Sequence, residues 1–234
     1  MQNGISPDTA PLAILFDIDG TLISTRGSGA RAWRYAFEQL HGIAPNIADF
    51  TEDGMTDPEV GRVTFTHALD RSPTDQEMAR LLGVYLERLA VEVAGDSGYR
   101  IMPGVEVLLP RLTNAGVLLG IVSGNLESAA HLKLARGNLN RYFSVGGYGS
   151  DSADRGELTR LAIARCATIH GHTVSSKRVL VVGDTPRDIA AAHAADAIGV
   201  GVATGKYTVE ALHAAGADFV VPTLETPLPG VPDD

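Results

Sequence analysis

Short, unbroken apolar runs recur along this chain, and three of them stop at polar residues that can carry chemistry. Leu12 to Phe16 ends at Asp17-Ile18-Asp19-Gly20-Thr21, Val117 to Val122 ends at Ser123-Gly124-Asn125, and the run from Arg178 to Val182 ends at Gly183-Asp184. Runs without alternation suit strands covered on both faces, as in a parallel sheet. Between and after the later runs the apolar period becomes helical. Helices are predicted over Val105 to Asn114, from after Asn125 to Arg136, over Glu157 to His170 and from near Pro186, with further short strands at Tyr142 to Val145, Ile198 to Ala203 and Asp218 to Val221. This rhythm predicts an α/β fold, a Rossmann-like, mostly parallel sheet with helices on both faces.

One segment breaks the rhythm. From Ile23 to Arg100 the pattern is almost wholly helical. Trp33, Phe37 and Leu40 share one face up to Gly42, and Trp33 reads as core packing. Asp57-Pro58 has the form of an N-cap followed by a proline, and Thr74-Asp75-Gln76-Glu77 that of a capping box before the apolar stripe Met78, Leu81, Leu82, Tyr85, Leu86 and Leu89. Met102-Pro103-Gly104 is a turn signal that returns the chain to the α/β rhythm. The expected organisation is a core from residues 1–22 and 101–234 with an inserted helical cap at 23–100. The proline-rich tail from Pro222 is expected to be irregular or disordered.

Composition narrows the classes. The 234 residues are 44% hydrophobic and 20% charged, with a net charge of -9. That balance fits a globular protein and argues against a general nucleic-acid binder, which needs a basic face. No run approaches a membrane span, and Met1 to Pro11 lacks the basic and apolar parts of a signal peptide, so a cytoplasmic protein with no membrane partner is expected. The single cysteine, Cys166, lies in an apolar helical pattern and reads as a packed thiol. His170-Gly171-His172 reads as a surface helix end. Gly199, Gly201 and Gly205 do not have the spacing of a dinucleotide-binding loop. Oligomeric state is not legible.

If the three strong strands are parallel neighbours, Asp17 and Asp19, Ser123 and Asn125, and Asp184 and Asp188 converge on one crevice at their carboxyl ends. Carboxylates there can attack phosphorus or bind a hard cation, and hydroxyl and N–H donors can hold phosphate oxygens. Asp17-Ile18-Asp19-Gly20-Thr21, Ser123-Gly124-Asn125, Arg155 and Gly183-Asp184-Thr185-Pro186-Arg187-Asp188 resemble the four motifs of the haloacid dehalogenase-like hydrolase superfamily. Gly54-Met55-Thr56-Asp57 in the insertion resembles its phosphoglycolate-phosphatase-like branch.

The resemblance implies a Mg2+-dependent phosphatase acting on a small phosphorylated metabolite, with phosphoglycolate the leading candidate. Asp17 would be the nucleophile and Asp19 the general acid and base. Mg2+ would be held by Asp17, Asp19 through its backbone carbonyl, Asp184, and Asp188 through water. Thr21, Ser123, Gly124 and Asn125 would face substrate, and Arg155 would take the place of the usual third-motif lysine. Lys133 competes for that basic role, but is expected to face solvent. Thr185 to Asp188 is also a good capping box, so Asp188 can serve the helix start as well. Asp19 argues against a dehalogenase, and the absence of any lysine from Ile23 to Arg100 argues against a phosphonate-cleaving relative. Two alternatives stay open: a sugar-phosphate phosphomutase, and a non-turnover phospho-receiver, which the long insertion disfavours. Arg26, Arg31 and Arg62 are candidates to meet a second anionic group on the substrate.

Overall fold

The computed structural model describes residues 11–231, so the expectations for Met1 to Ala10 and for Pro232 lie outside the described residues. Its centre is β1 (Ala13–Phe16), whose four residues are all buried. β1 lies between β4 (Leu118–Ser123) and β6 (Val179–Gly183), pairing with both in parallel register. The sheet is completed by β5 (Val145–Tyr148), β7 (Ile198–Val202) and β8 (Phe219–Val221), in the order β5-β4-β1-β6-β7-β8, and every pairing is parallel.

Both faces are covered, which explains the absence of alternation. Ile14 and Phe16 point to the face packed by α4 (Val105–Asn114) and α5 (Glu127–Arg136), through residues such as Leu109, Leu112 and Leu134. Ala13 and Leu15 point to the other face, against Leu158, Ala162 and Cys166 of α6 (Arg155–His170) and Ala192 of α7 (Pro186–Ala194). Cys166 is fully buried, and burial pushes its thiol up to about 11, so it packs as expected. The outer helix α8 (Val209–Ala214) lies against β7 and β8.

The segment after β1 is helical, with one addition. It leaves through β2 (Ile23–Ser24) and returns through β3 (Arg100–Ile101), which pair antiparallel as a two-residue ribbon joining its two ends. Between them lie α1 (Ser28–His41), α2 (Asp57–Leu69) and α3 (Asp75–Gly95). Their own apolar cluster contains Trp33, Phe37, Phe65, Leu81, Tyr85 and Leu89, joined by Leu126 and Ala129 from α5 and its start. Trp33 is core, stacked on Tyr85 with ring centroids 4.1 Å apart.

Two local expectations are corrected and a third gains detail. The strand expected at Tyr142 to Val145 begins only at Val145; Asn140–Tyr142 form a single 3-10 turn, and Gly146 and Gly147 carry the strand onward. The cap of α2 is Thr56, which forms a reciprocal box with Glu59, and this frees Asp57 for other contacts. The described tail after Pro222 is irregular, as expected, and it is packed, because Leu224, Leu228 and Val231 insert into the main core.

That tail crosses the return turn. Gly104 has φ of 87° and caps α4, and a Cβ there would lie 2.2 Å from the Leu224 carbonyl carbon and the Glu225 nitrogen. Gly104→Ala should therefore destabilise the chain by at least the roughly 1–3 kcal/mol of a non-glycine residue held in the left-handed region, read as a lower urea midpoint.

Candidate active site

The carboxyl ends of β1, β4 and β6 meet at one edge because these strands are neighbours. Asp17 is the first residue beyond β1, its N–H donating to the Val182 carbonyl at 2.9 Å. Asp184 follows β6, and Asp188 stands in the first turn of α7. Their carboxylate oxygens lie within 4.8 Å of one another, and all three residues are buried. Glycines make room for the group. A Cβ on Gly20 would lie 2.4 Å from Asp184 Oδ2, and one on Gly205 would lie 1.7 Å from it.

Burial and mutual repulsion shape this cluster. Burial first, then the Asp188 charge, pushes Asp17 up to about 7 against the pull of Arg155. Burial, with Asp17 and Asp188 adding to it, pushes Asp184 up to about 8. Arg155, the first residue of α6, donates to Asp188 Oδ1 and reaches Asp17 Oδ1 at 3.5 Å. Burial opposes the Arg155 charge, but Asp188 and Asp17 outweigh it and hold its pKa above the ordinary value. Asp188 forms the expected capping box, and its two oxygens have separate partners: Oδ1 meets Arg155, while Oδ2 accepts from the Thr185 N–H at 3.0 Å and the Thr185 hydroxyl at 2.7 Å.

Asp19 belongs to a different group. Its side chain is 41% exposed, and Oδ2 accepts from Lys133 Nζ at 2.6 Å and Asn125 Nδ2 at 2.9 Å. Lys133 also donates to Asn125 Oδ1 at 2.6 Å, and Asn125 Nδ2 donates to Ser123 Oγ at 2.8 Å. The expectation that Lys133 faces solvent is wrong: it is 5% exposed. Ala129, Ala130, Lys133 and Leu134 form the buried face of α5, a spacing that was visible in the sequence. Burial opposes the Lys133 charge, but the Asp19 and Asp57 carboxylates prevail and raise its pKa.

Other residues have contacts that the sequence did not announce. Thr21 is fully buried, does not line the cavity described below, and donates to Asp184 Oδ1 at 3.2 Å, so it orients that carboxylate. Gly124 is the docking point of the helical segment: its carbonyl accepts from Asp57 N at 2.7 Å, and a Cβ on it would lie 2.6 Å from the Met55 carbonyl oxygen. Asp57, read as a helix cap, accepts from the Tyr85 hydroxyl at 3.0 Å and from the Leu126 N–H at 2.8 Å, and burial raises its pKa.

Between the helical segment and the sheet edge lies a cavity of about 370 Å³. Trp33, Ile47, Met55, Val60 and Tyr85 line it from the helical side, and Asp17, Asp19, Ser123, Asn125, Asp184 and Asp188 from the sheet side. Among the described residues its cationic lining is Lys133, Arg155 and Lys206. Arg26, Arg31 and Arg62 do not line it, and Arg31 is paired with Glu92. Lys206, in the loop after β7, was not anticipated; it pairs with Asp53 at 2.6 Å. His170 and His172 stack on each other, outside the acidic cluster.

Comparison with known proteins agrees with this site. Residues 11–196 match the family described as haloacid dehalogenase-like hydrolase. A phosphoglycolate phosphatase of Synechococcus elongatus is 30% identical over 223 residues, covering 92% of this chain and 93% of its own. One from Neisseria gonorrhoeae is 30% identical over 201 residues, covering 82% and 80%. The crystal structure of a β-phosphoglucomutase from Clostridium difficile superposes with a TM-score of 0.71 over 92% of each chain at 20% identity, a likeness of fold. The chain belongs to the haloacid dehalogenase-like hydrolases, as a phosphatase of the phosphoglycolate-phosphatase-like branch.

Proposed function

We propose that this phosphatase hydrolyses a small phosphomonoester in a Mg2+-dependent reaction through an aspartyl-phosphate on Asp17. The observation that carries the reading is the buried cluster of Asp17, Asp184 and Asp188 beside Arg155, lining the cavity between the sheet edge and the helical segment. The donor set fits Mg2+: hard carboxylate oxygens, two of them held well above the usual range by burial and repulsion that a divalent cation would relieve. Asp17, Asp184 and Asp188 would hold the ion, which when bound supplies neutralising charge to the phosphate oxygens. The Asp19 carboxylate, turned to Lys133, stands outside that set.

In the first step an Asp17 oxygen forms a bond to phosphorus as the bond to the leaving oxygen breaks. Asp19 gives that oxygen its proton, and the alcohol departs. In the second, Asp19 takes a proton from water, the water oxygen bonds to phosphorus, and the bond to Asp17 breaks to release inorganic phosphate. Ser123 and the backbone at Gly124 and Asn125 donate to the phosphate oxygens, and Arg155 supplies positive charge beside Asp17. Residues 23–100 act as a cap over a core of 1–22 and 101–234. Cap opening admits substrate and closure excludes water. Hydrolysis is favoured over phosphoryl return to a sugar because the relatives at 30% identity are phosphatases, whereas the mutase likeness is one of fold.

The direct test is phosphate release from phosphoglycolate, sugar phosphates and nucleotides, with Mg2+ or chelator. Release should require Mg2+ and fall by several orders of magnitude in Asp17→Asn; metal-independent release would overturn the mechanism. A second test uses the raised carboxylates. Without a cation, Asp17 and Asp184 favour protonation in the folded state, so their contribution to stability is intact below the ordinary value of 3.8 and is lost as pH rises through about 7 and about 8. The gain in melting temperature on adding Mg2+ should therefore grow from pH 5 to pH 8, and a pH-independent gain would refute the assigned ligands. A third test concerns the leaving group. Beside Lys133 and Arg155, which are held by the catalytic carboxylates, the lining cation among the described residues that a carboxylate there can meet is Lys206. Lys206→Ala should lower kcat/KM for phosphoglycolate by roughly 5-fold and leave ethyl phosphate unchanged.

A further inference from the structure

Two buried cations serve this site, and they touch different carboxylates. Arg155 meets Asp17 and Asp188, whereas Lys133 meets Asp19 and Asn125. Lys133 rises from the middle of α5, and its ammonium has two acceptors at 2.6 Å, Asp19 Oδ2 and Asn125 Oδ1. An ammonium has donors only, so it can meet the Asn125 side chain only through its carbonyl oxygen. That fixes which way the amide faces. Asn125 Nδ2 is thereby turned to Asp19 Oδ2 and to Ser123 Oγ, at 2.9 and 2.8 Å.

Ser123 Oγ already accepts from Asn125, so its own hydroxyl proton is left to donate elsewhere. At Asp19 both contacts fall on Oδ2, and Oδ1 has no partner among the described residues, while the side chain stays 41% exposed at the chamber. One oxygen is anchored and the other is free.

We propose that Lys133 is a positioning residue: by gripping Asp19 Oδ2 and Asn125 Oδ1 it holds Asp19 with Oδ1 presented for proton transfer, and sets the amide orientation that leaves the Ser123 hydroxyl to donate to phosphate. This rests on the phosphatase mechanism above, in which Asp19 exchanges protons with the leaving oxygen and with water. Lys133 touches neither the phosphorus nor the leaving group. Its effect is passed through Asp19 and Asn125.

The role has a kinetic signature that lost packing does not share. p-Nitrophenolate departs without a proton, so Asp17 phosphorylation by p-nitrophenyl phosphate does not need a positioned Asp19. An alkyl leaving group needs that proton, and hydrolysis of the aspartyl-phosphate needs Asp19 for either substrate. The experiment compares the native chain with Lys133→Met by rapid mixing in saturating Mg2+, using p-nitrophenyl phosphate and the alkyl phosphate of the panel above that the native chain turns over fastest. In Lys133→Met the phosphorylation step should fall by about 10²-fold for the alkyl ester and by less than about 5-fold for the nitrophenyl ester. The nitrophenyl reaction should show a burst of about one nitrophenolate per active site followed by slow turnover, because the phosphoenzyme accumulates. Equal losses on both esters, or unchanged turnover, would overturn the proposal. If Lys133→Met does not fold, Lys133→Gln, which keeps a donor but loses the charge, must show the same leaving-group dependence in smaller degree, and its absence there overturns the proposal equally. The native chain is the control for the underlying mechanism: no Mg2+-dependent turnover of any ester refutes the phosphatase chemistry itself, whereas native turnover with an indifferent Lys133 variant refutes only the positioning role.

Discussion

Three carboxylates packed within 4.8 Å of one another, and out of water, are the constraint around which this structure is arranged. Two like charges about 4 Å apart repel by roughly 4 kcal/mol even at an effective dielectric of 20, so such a group persists only where its surroundings compensate. The compensation is visible on every side. Arg155 is delivered by the start of α6, Thr21 donates to Asp184, and Thr185 donates twice to Asp188. Glycine stands wherever a side chain would collide: at Gly20 and Gly205 against Asp184, and at Gly183, where a Cβ would lie 2.3 Å from the Asp188 side chain. Burial and repulsion left over after all of this are what raise Asp17 and Asp184, and what makes the cluster a fit receptor for a divalent cation.

The helical segment is fastened to this edge through a short stretch of backbone and one buried acid. Asp57 receives the Leu126 N–H at the start of α5 and the Tyr85 hydroxyl from α3, and its own N–H donates to Gly124. Tyr85 is stacked on Trp33, so the core of the helical segment is linked directly to the turn that carries Ser123 and Asn125. Leu126 and Ala129 add apolar contacts, and Arg155 donates to the Gly54 carbonyl, while Glu52 with Arg187 and Asp53 with Lys206 are exposed ion pairs, which contribute about 0–1 kcal/mol each.

Much of this was legible in the chain. Leu12 to Phe16 ending in two aspartates placed the central strand, and its lack of alternation foretold helices on both faces, because Ile14 and Phe16 pack one way and Ala13 and Leu15 the other. What escaped had physical reasons. β2 and β3 have two residues each, too few to show a period. The β5 strand runs through Gly146 and Gly147, which carry no apolar signal, so its position was read several residues too early. Thr56 and Glu59 already spelled a capping box that makes Asp57 a helical residue, and the buried spacing of Ala129, Ala130 and Lys133 already placed the lysine inward. A charge on an apolar face was read as solvated, when it was paired. Lys206 had no signal at all, since a lysine in a loop acquires meaning only from what the loop passes.

The charge distribution in the chamber sets the direction in which a phosphomonoester can enter. Lys133, Arg155 and the carboxylate cluster all belong to the sheet side, while the helical side presents Trp33, Ile47, Met55, Val60 and Tyr85. A phosphate dianion would lose hydration against the apolar wall with nothing to replace it, and would find donors and positive charge only at the strand ends. The phosphoryl group must therefore face the sheet and the alcohol face the helices. Changes to the helical wall would then alter which alcohol is accepted while leaving the carboxylate cluster intact, so one chemical centre can serve different substrates through the segment inserted after β1.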